Sequence, residues 1–341
     1  MSGGVDSSVT ASLLKQQGYD VIGLTFRNWP QDCMSRAEDK CCGPQAVTDA
    51  RMVAHSLGIP HYVVDEIDTF QHDVIDYFVD EYKKGRTPNP CVVCNEKVKF
   101  GSLLKKAAAL GAEYIATGHY ARITQNGRYE LRKGLDDRKD QSYFLFSLRQ
   151  DQLAQSLMPL GGLSKEETRA IAAELGLKTK DKVESQEICF VPDKDYGRFL
   201  KESAHLTDQP GEIVTRDGKV LSTHAGIQYF TIGQREGLNL GGQPKPLYVV
   251  ALDAATNRVI VGAAEDLLRT EFHVANCTWS AIAAPTGPVE CSVKIRYNHK
   301  GCPASVVGGR VLLQEPQRAI TPGQAAVFYR DDLVLGGGWI C

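Results

Sequence analysis

Apolar residues at Val5, Val9, Leu13 and Leu14 recur at helical spacing, so residues 5–17 predict an amphipathic helix. The run Tyr19-Asp-Val-Ile-Gly-Leu-Thr-Phe26 predicts a buried strand. The alternation then continues: a helix over 44–57, a strand at 61–64 (His-Tyr-Val-Val) and a helix over 70–83. A loop carrying Pro88 and Pro90 follows, then a helix over 96–110 and a strand at 113–117. Short strands alternating with helices predict a parallel sheet with crossover helices.

Beyond residue 120 the pattern changes. A hairpin is predicted at 120–133, then helices at 150–157, 164–175 and 195–203. From Pro210 onward the chain reads as nearly all β, with turn signals at Asp217-Gly218, Gly241-Gly242 and Thr256-Asn257. The last stretch alternates over short strands, as a small barrel does. The expected division is an α/β domain over 1–205, a small β-rich domain over 206–267 and a C-terminal β-barrel over 268–341.

Composition narrows the class. The chain has 341 residues, 43% of them hydrophobic and 23% charged, which is ordinary for a folded protein and excludes global disorder. No apolar run reaches the roughly 18 residues of a membrane span, and no basic-then-apolar leader opens the sequence, so the expectation is a cytoplasmic protein without a membrane partner. Net charge is only −2. The charges are nevertheless segregated: 60–82 holds seven acidic residues and no Lys or Arg, whereas 83–106 holds seven Lys or Arg and only Glu96. Two readings stand, a pair of solvated helix faces or a basic wall that takes phosphates.

Candidate chemistry begins at the first residues. In Met1-Ser-Gly-Gly-Val-Asp-Ser-Ser8, Gly3 and Gly4 let backbone approach an anion, and Ser7 and Ser8 offer hydroxyls and free first-turn amides. Asp6 would repel a phosphate unless a cation lies between them, so it predicts Mg²⁺. No Gly-Lys-Ser/Thr follows, so this is not a Walker A loop. The plain alternative is a helix start after a glycine turn. That heptad resembles the pyrophosphate loop of the PP-loop ATP-pyrophosphatase superfamily, whose members make adenylated intermediates. There the loop follows a central strand. Only Met1 precedes it here, so the expectation is a chain begun at an internal methionine, whose upstream-extended form folds or binds ATP better.

Ten cysteines are more than an ordinary enzyme of a reducing compartment needs. Cys33, Cys41 and Cys42 cluster, as do Cys91 and Cys94 in Thr87-Pro-Asn-Pro-Cys-Val-Val-Cys-Asn95. With a helix expected to start just after Cys94, its N-terminus together with Lys97 and Lys99 should lower the Cys94 thiol pKa. Half a zinc site completed by Cys41 and Cys42, a redox pair, or simple packing are the other readings of this C-x-x-C. Cys189, in Ser185-Gln-Glu-Ile-Cys-Phe190, reads on its own as a core residue.

In order along the chain, Ser2-Gly-Gly-Val-Asp-Ser7, Gly85-Arg-Thr-Pro-Asn-Pro90, Cys94-Asn95, Ala116-Thr-Gly-His-Tyr-Ala-Arg122, Lys139-Asp-Gln-Ser-Tyr-Phe144, Ile188-Cys-Phe190 and Gly233-Gln-Arg235 resemble the bacterial tRNA-specific 2-thiouridylase family. Ile295-Arg-Tyr297, Thr321-Pro-Gly-Gln324 and Gly336-Gly-Gly338 extend the likeness to the C-terminus. The resemblance implies a Rossmann-like PP-loop domain followed by two β domains. It implies ATP-dependent 2-thiolation of the wobble uridine of tRNAs for Lys, Glu and Gln, releasing AMP and pyrophosphate.

It further implies that Cys189 carries a persulfide, that Cys94 is the second catalytic cysteine and that a Cys94–Cys189 disulfide can form. Ser2, Gly3, Gly4, Val5, Asp6 and Ser7 would hold ATP phosphates, with Phe26 and Gly118 along the adenosine. Asn89, Pro90 and Cys91 would meet the target base, while Lys139, Asp140, Gln141, Arg296 and Tyr297 would contact tRNA. Sulfur would arrive from a persulfide carrier protein or a cysteine desulfurase.

One departure opens an alternative. Many family members carry Asp where this chain has Cys91, so Cys91, Cys94 and Cys189 could ligate a [4Fe–4S] cluster with a free iron position. Two other readings compete: a different PP-loop AMP-forming ligase acting on a small metabolite, and a non-catalytic RNA-binding protein stabilised by a metal.

Overall fold

The first predicted helix forms as α1 (Val5–Gln16) in a computed structural model that describes residues 1–28, 44–177, 188–191, 193–242 and 245–341. Val5, Val9 and Leu14 are buried. Gly18, at φ +88°, ends the helix, and the amide of Tyr19 returns to the Leu14 carbonyl at 3.1 Å. That reversal uses up the residues expected to open the strand, so β1 begins later, as Gly23–Arg27. Helix α2 (Pro44–Leu57) leads to β2 (His61–Asp65), and β1 and β2 pair in parallel from Gly23↔His61 to Arg27↔Asp65. Met1 lies along β1: its amino group donates to the Leu24 carbonyl, and Thr25 Oγ1 donates to the Met1 carbonyl at 2.6 Å. A second parallel pair joins Ile115–Ala116 to Ser156–Leu157.

The chain forms two compact units. The first comprises Met1–Val74, Cys91–Pro192 and Asp332–Val334. Its core near the N-terminus is built by Val5 and Val9 of α1, Val53 of α2, Tyr120, Leu160 and Ala172. Each fully buried aliphatic side chain there contributes about 1.5–3 kcal/mol, so the start of α1 is anchored from several directions. The expected hairpin forms as Ala121–Asn126 and Arg128–Lys133. Asp332 joins this unit by accepting from Arg122 at 2.8 Å and Arg132 at 2.7 Å.

The second unit comprises Ile75–Pro90, Asp193–Asp331 and Leu335–Cys341. One four-stranded sheet runs in the order Val220–His224, Gly211–Thr215, Arg258–Gly262, Tyr248–Asp253. Ile213, Val249, Val259, Val261 and Phe230 fill its core. Six further strands, from Leu268–Trp279 to Leu333–Ile340, close on themselves, because the last pairs with the first from Val274↔Ile340 to Trp279↔Gly336. The predicted barrel is therefore a closed six-stranded one. Period-two patterning reads out directly here: Val311 and Leu313 are buried while Arg310, Leu312 and Gln314 are exposed.

Among the described residues no helix is long and apolar enough to cross a membrane.

Candidate functional site

The Ser2–Ser8 segment forms a cradle at the start of α1. Gly3 sits at φ +69°, and a Cβ there would lie 2.3 Å from the Ala46 carbonyl oxygen, so only glycine fits. Gly4 is the N-cap in extended conformation and has no side chain to cap the first-turn amides. The Ser2 amide and hydroxyl donate to Ser7 Oγ at 3.1 and 3.2 Å, which ties the loop to the first turn. Gly118 closes one side: a Cβ there would come within 2.8 Å of Asp6 Cβ and 3.1 Å of the Ser7 amide. Gly3, Gly4, Asp6, Ser7 and Gly118, predicted from segments over a hundred residues apart, are thus brought together. Phe26 lies near the end of β1 in register with Val64.

Asp6 departs from expectation. Lys165 Nζ donates to both its oxygens, at 2.7 and 2.9 Å, and the Tyr120 hydroxyl donates to Oδ1 at 2.9 Å. Lys165 is only 5% exposed, and its ammonium lies 5.5 Å from the Tyr120 ring centroid. Its place is set by a capping box at the start of Lys165–Glu174. The Glu167 amide donates to Ser164 Oγ at 3.1 Å, and the Ser164 amide to Glu167 Oε2 at 2.7 Å. The cation facing Asp6 is therefore a lysine, and the carboxylate does not fit the role of a Mg²⁺ ligand while both oxygens are so engaged. Sequence reasoning missed Lys165. Its signal was the Ser164-Lys-Glu-Glu167 capping pattern, which marks a helix start but says nothing of what the second residue meets.

The cysteine loop corrects a second expectation. The helix begins at Pro90, not after Cys94: Pro90–Val93 runs directly into a π-helical stretch, Cys94–Ser102, and then Leu103–Ala109. Cys94 therefore lies past the first turn, where the free amides that favour a thiolate are already used. Lys97 is exposed and paired with Glu96 at 3.0 Å. Burial pushes the Cys94 thiol up from its ordinary value, with Lys99 opposing more weakly. Burial pushes Cys91 to about 11, with the neighbouring Cys94 adding to the effect. Both are thiols at neutral pH. His119 is held neutral, well below its ordinary value, by burial and then by Lys99, and its Nδ1 is 2.8 Å from Thr117 Oγ1.

The π-helical stretch leaves backbone carbonyls for other partners. Gln152 Nε2 donates to the carbonyls of Phe100 at 2.7 Å and Glu96 at 3.4 Å. Asn95 Nδ2 donates to the Phe144 carbonyl at 3.1 Å.

In the second unit, Thr87 and Pro88 are held by the Thr321-Pro-Gly-Gln324 segment. Gln324 Nε2 donates to both their carbonyls at 3.1 Å, and the Thr87 amide donates to the Pro322 carbonyl at 2.9 Å. Gly323, at φ +90°, admits this approach, since a Cβ would lie 2.7 Å from the Thr87 carbonyl oxygen. Asn89 and Pro90 follow directly along the chain.

Cys189 is half-buried in a short turn closed by the Val191 amide on the Ile188 carbonyl at 2.9 Å. Phe190 anchors that turn edge-on to Phe70, with ring centroids 5.8 Å apart. Cys91, Cys94 and Cys189 are all thiols, with no disulfide among them. Among the described residues no three Cys, His, Asp or Glu side chains converge as a metal site. The three cysteines therefore do not fit a [4Fe–4S] cluster in this geometry. The Cys33, Cys41 and Cys42 cluster, of which Cys41 and Cys42 were the candidate zinc ligands, lies outside the described residues.

The remaining predicted contacts divide. Asp140 is buried and accepts from the amides of Gly134 and Ser142 at 3.1 and 3.0 Å. Gln141 Oε1 accepts from the Tyr120 amide at 3.0 Å. Both side chains serve the turn itself, whereas Lys139 is half-buried beside them. Arg296 is exposed and donates to the Arg318 carbonyl at 3.2 Å. Tyr297 lies 5.9 Å beneath the Lys294 ammonium.

The basic wall over 83–106 is largely cancelled. Lys83, Lys84, Arg86, Lys97 and Lys106 lie within 3.6 Å of carboxylates, on Asp80, Glu81, Glu81, Glu96 and Glu66 respectively. The preceding acidic run supplies the carboxylate in four of those five pairs, through Asp80, Glu81 and Glu66, so the two oppositely charged segments neutralise each other locally.

Comparison with known proteins finds three family models that match in succession along the chain. Residues 1–193 match a family model described as a tRNA methyl transferase HUP domain. Residues 197–263 match the tRNA methyl transferase PRC-barrel domain, and 269–340 the aminomethyltransferase beta-barrel domain. The tRNA-specific 2-thiouridylase MnmA of Geobacter metallireducens is 52% identical over 100% of this chain and 95% of its own length. That of Clostridium perfringens is 49% identical over 100% of this chain and 96% of its own. Among solved structures, the U34-tRNA thiolase NcsA from Methanococcus maripaludis with its [4Fe-4S] cluster is similar at 20% identity and a TM-score of 0.35, covering 60% of this chain and 64% of that one. With three consecutive domain matches and about half its residues shared with these relatives along its whole length, the chain belongs to the tRNA-specific 2-thiouridylase family.

Proposed function

We propose that this protein is a tRNA-uridine 2-sulfurtransferase that thiolates the wobble uridine at the expense of ATP. The observation that carries the reading is the cradle at α1: extended Gly4 before an uncapped first turn, with Gly118 packed against Asp6 and Ser7. An N-terminus of this kind holds an anion through backbone amides and the helix dipole. Ser2, Gly3, Gly4, Val5, Asp6 and Ser7 surround the nucleotide phosphates, and Phe26 and Gly118 flank its adenosine.

The uridine leaves its stack, as a base must when chemistry is done on it, and is received by Asn89, Pro90 and Cys91. Its O2 attacks the α-phosphorus of ATP, and pyrophosphate departs. The adenylated oxygen is now a good leaving group. The terminal sulfur of a persulfide on Cys189 adds to C2, and AMP leaves. Cys94, a thiol at rest, gives up its proton as its sulfur attacks the inner sulfur, and the S–S bond breaks, leaving sulfur on the base and a Cys94–Cys189 disulfide that an external thiol reduces. Sulfur reaches Cys189 from a persulfide carrier or a cysteine desulfurase. Lys139, Arg296 and Tyr297 contact the tRNA, and Asp140 and Gln141 hold the turn that presents Lys139. The persulfide route, which needs only the Cys94–Cys189 pair, is preferred to the cluster route, which needs a metal-holding group of three that is absent among the described residues.

The test is thiolation of purified tRNA with ATP and a persulfide donor, read by mass spectrometry of the nucleosides and by AMP release. Cys94→Ser and Cys189→Ser should each abolish 2-thiouridine while leaving tRNA affinity nearly intact; turnover by either variant would overturn the assignment.

A further inference from the structure

The strongest unassigned feature is the buried Lys165. Its side chain is 7% exposed and that of Asp6 34%, so the carboxylate is on the open side and the ammonium behind it. We propose that Lys165 is a positioning residue for the nucleotide: it neutralises and orients Asp6, in place of a divalent ion, so that the cradle at α1 admits a polyphosphate. This rests on the ATP reading above.

The physical argument is one of charge. A carboxylate in the first turn of a helix opposes any anion bound to the same amides, and a partly buried site is screened little by salt. With Lys165 on both oxygens and the Tyr120 hydroxyl on Oδ1, the Asp6–Lys165 pair presents no net charge to an incoming phosphate. The pair is preorganised, since the Ser164–Glu167 capping box fixes the backbone of Lys165 and its amide donates to Asp136 at 3.3 Å. Removing the ammonium alone exposes a full negative charge. Removing both charges does not.

Equilibrium binding of ATP and of adenosine to the full chain, with Mg²⁺ and with EDTA, tests this. Lys165→Met should weaken ATP about tenfold or more, equivalent to about 1.4 kcal/mol, and adenosine by less than about twofold, because only the charged ligand feels Asp6. The Asp6→Asn, Lys165→Met double variant should recover most of the lost ATP affinity. Asp6→Asn alone should bind ATP at least as tightly as the parent, with the same ratio of affinities between Mg²⁺ and EDTA.

Equal loss of ATP and adenosine in Lys165→Met, unrelieved in the double variant, would make Lys165 a structural brace and overturn the proposal. Disappearance of the Mg²⁺ effect in Asp6→Asn would overturn it too, by making Asp6 a metal ligand. If Lys165→Met does not fold, Asp6→Asn still decides, since weakened ATP binding there contradicts the charge argument. A parent chain that binds no ATP at all sinks the nucleotide reading itself, which is a distinct result.

Discussion

At the scale of the residue, Cys94 shows how environment overrides motif. A cysteine beside two lysines and a helix start invites a lowered pKa, and a pKa near 6.5 would leave most of it ionised at pH 7. The thiol is instead pushed up, because burial outweighs Lys99 and because the helix starts four residues earlier. The consequence is a pH dependence of definite sign. Alkylation of Cys94 by iodoacetamide, followed by peptide mass spectrometry, should be slower at pH 7 than for a free cysteine. It should keep rising with pH beyond about pH 8.5, where a free cysteine levels off. Lys99→Met should slow it further throughout that rise, since Lys99 is the group holding the value down. A rate already at its plateau by pH 7 would contradict this. Asp6 teaches the same lesson. The sequence required a cation beside it, but only tertiary structure brings Lys165 across 159 residues.

At the scale of the element, the helix over 90–109 is where legibility fails and recovers. Its apolar spacing predicts a helix that starts after Cys94, although Asn89-Pro90 is itself a helix-start pattern, a preferred capping residue followed by proline at the first position. Two prolines read as loop outweighed that signal. The π-helical turn was illegible, because it depends on Gln152, over fifty residues away, taking the Phe100 carbonyl. Gln152 is buried. Gln152→Leu should therefore leave acceptors unpaired and cost about 1–3 kcal/mol, measured as a lowered urea midpoint. It should also reduce thiolation, because Cys94 opens that stretch; unchanged stability would show that the π turn holds without its partner. Gly323 is a second element-scale constraint. Gly323→Ala should displace Thr87, which its Cβ would meet at 2.7 Å, and should lower both the melting temperature and the thiolation rate. The glycine was legible as part of a motif, but its reason, the close approach to Thr87, was not.

At the scale of the whole molecule, periodicity gave the order of layers well. The switch from helix-strand alternation to short strands near Pro210, and the closed barrel at the end, follow from patterning that each strand carries locally. What periodicity could not give is where charge ends up, because ion pairs are tertiary. Of the two readings of 83–106, solvated helix faces or a phosphate-binding wall, the ion pairs support the first, since five of its seven cations sit against carboxylates. Exposed pairs of this kind add little stability, but they remove the field a polyanion would feel. With a net charge of −2, tRNA affinity must then come from a few cations outside those pairs. Each phosphate neutralised by such a cation steepens log K against log salt by about 0.7–0.9. Filter binding of tRNA across a salt series should therefore separate the two classes. Lys83→Ala with Lys84→Ala should leave the slope almost unchanged, because those ammonium groups are already spent on Asp80 and Glu81. Arg296→Ala, which removes an exposed guanidinium that donates to a backbone carbonyl and to no carboxylate among the described residues, should flatten the slope by nearly one phosphate. The reverse ranking would restore the basic wall and move the tRNA track to the helices on either side of the cysteine loop.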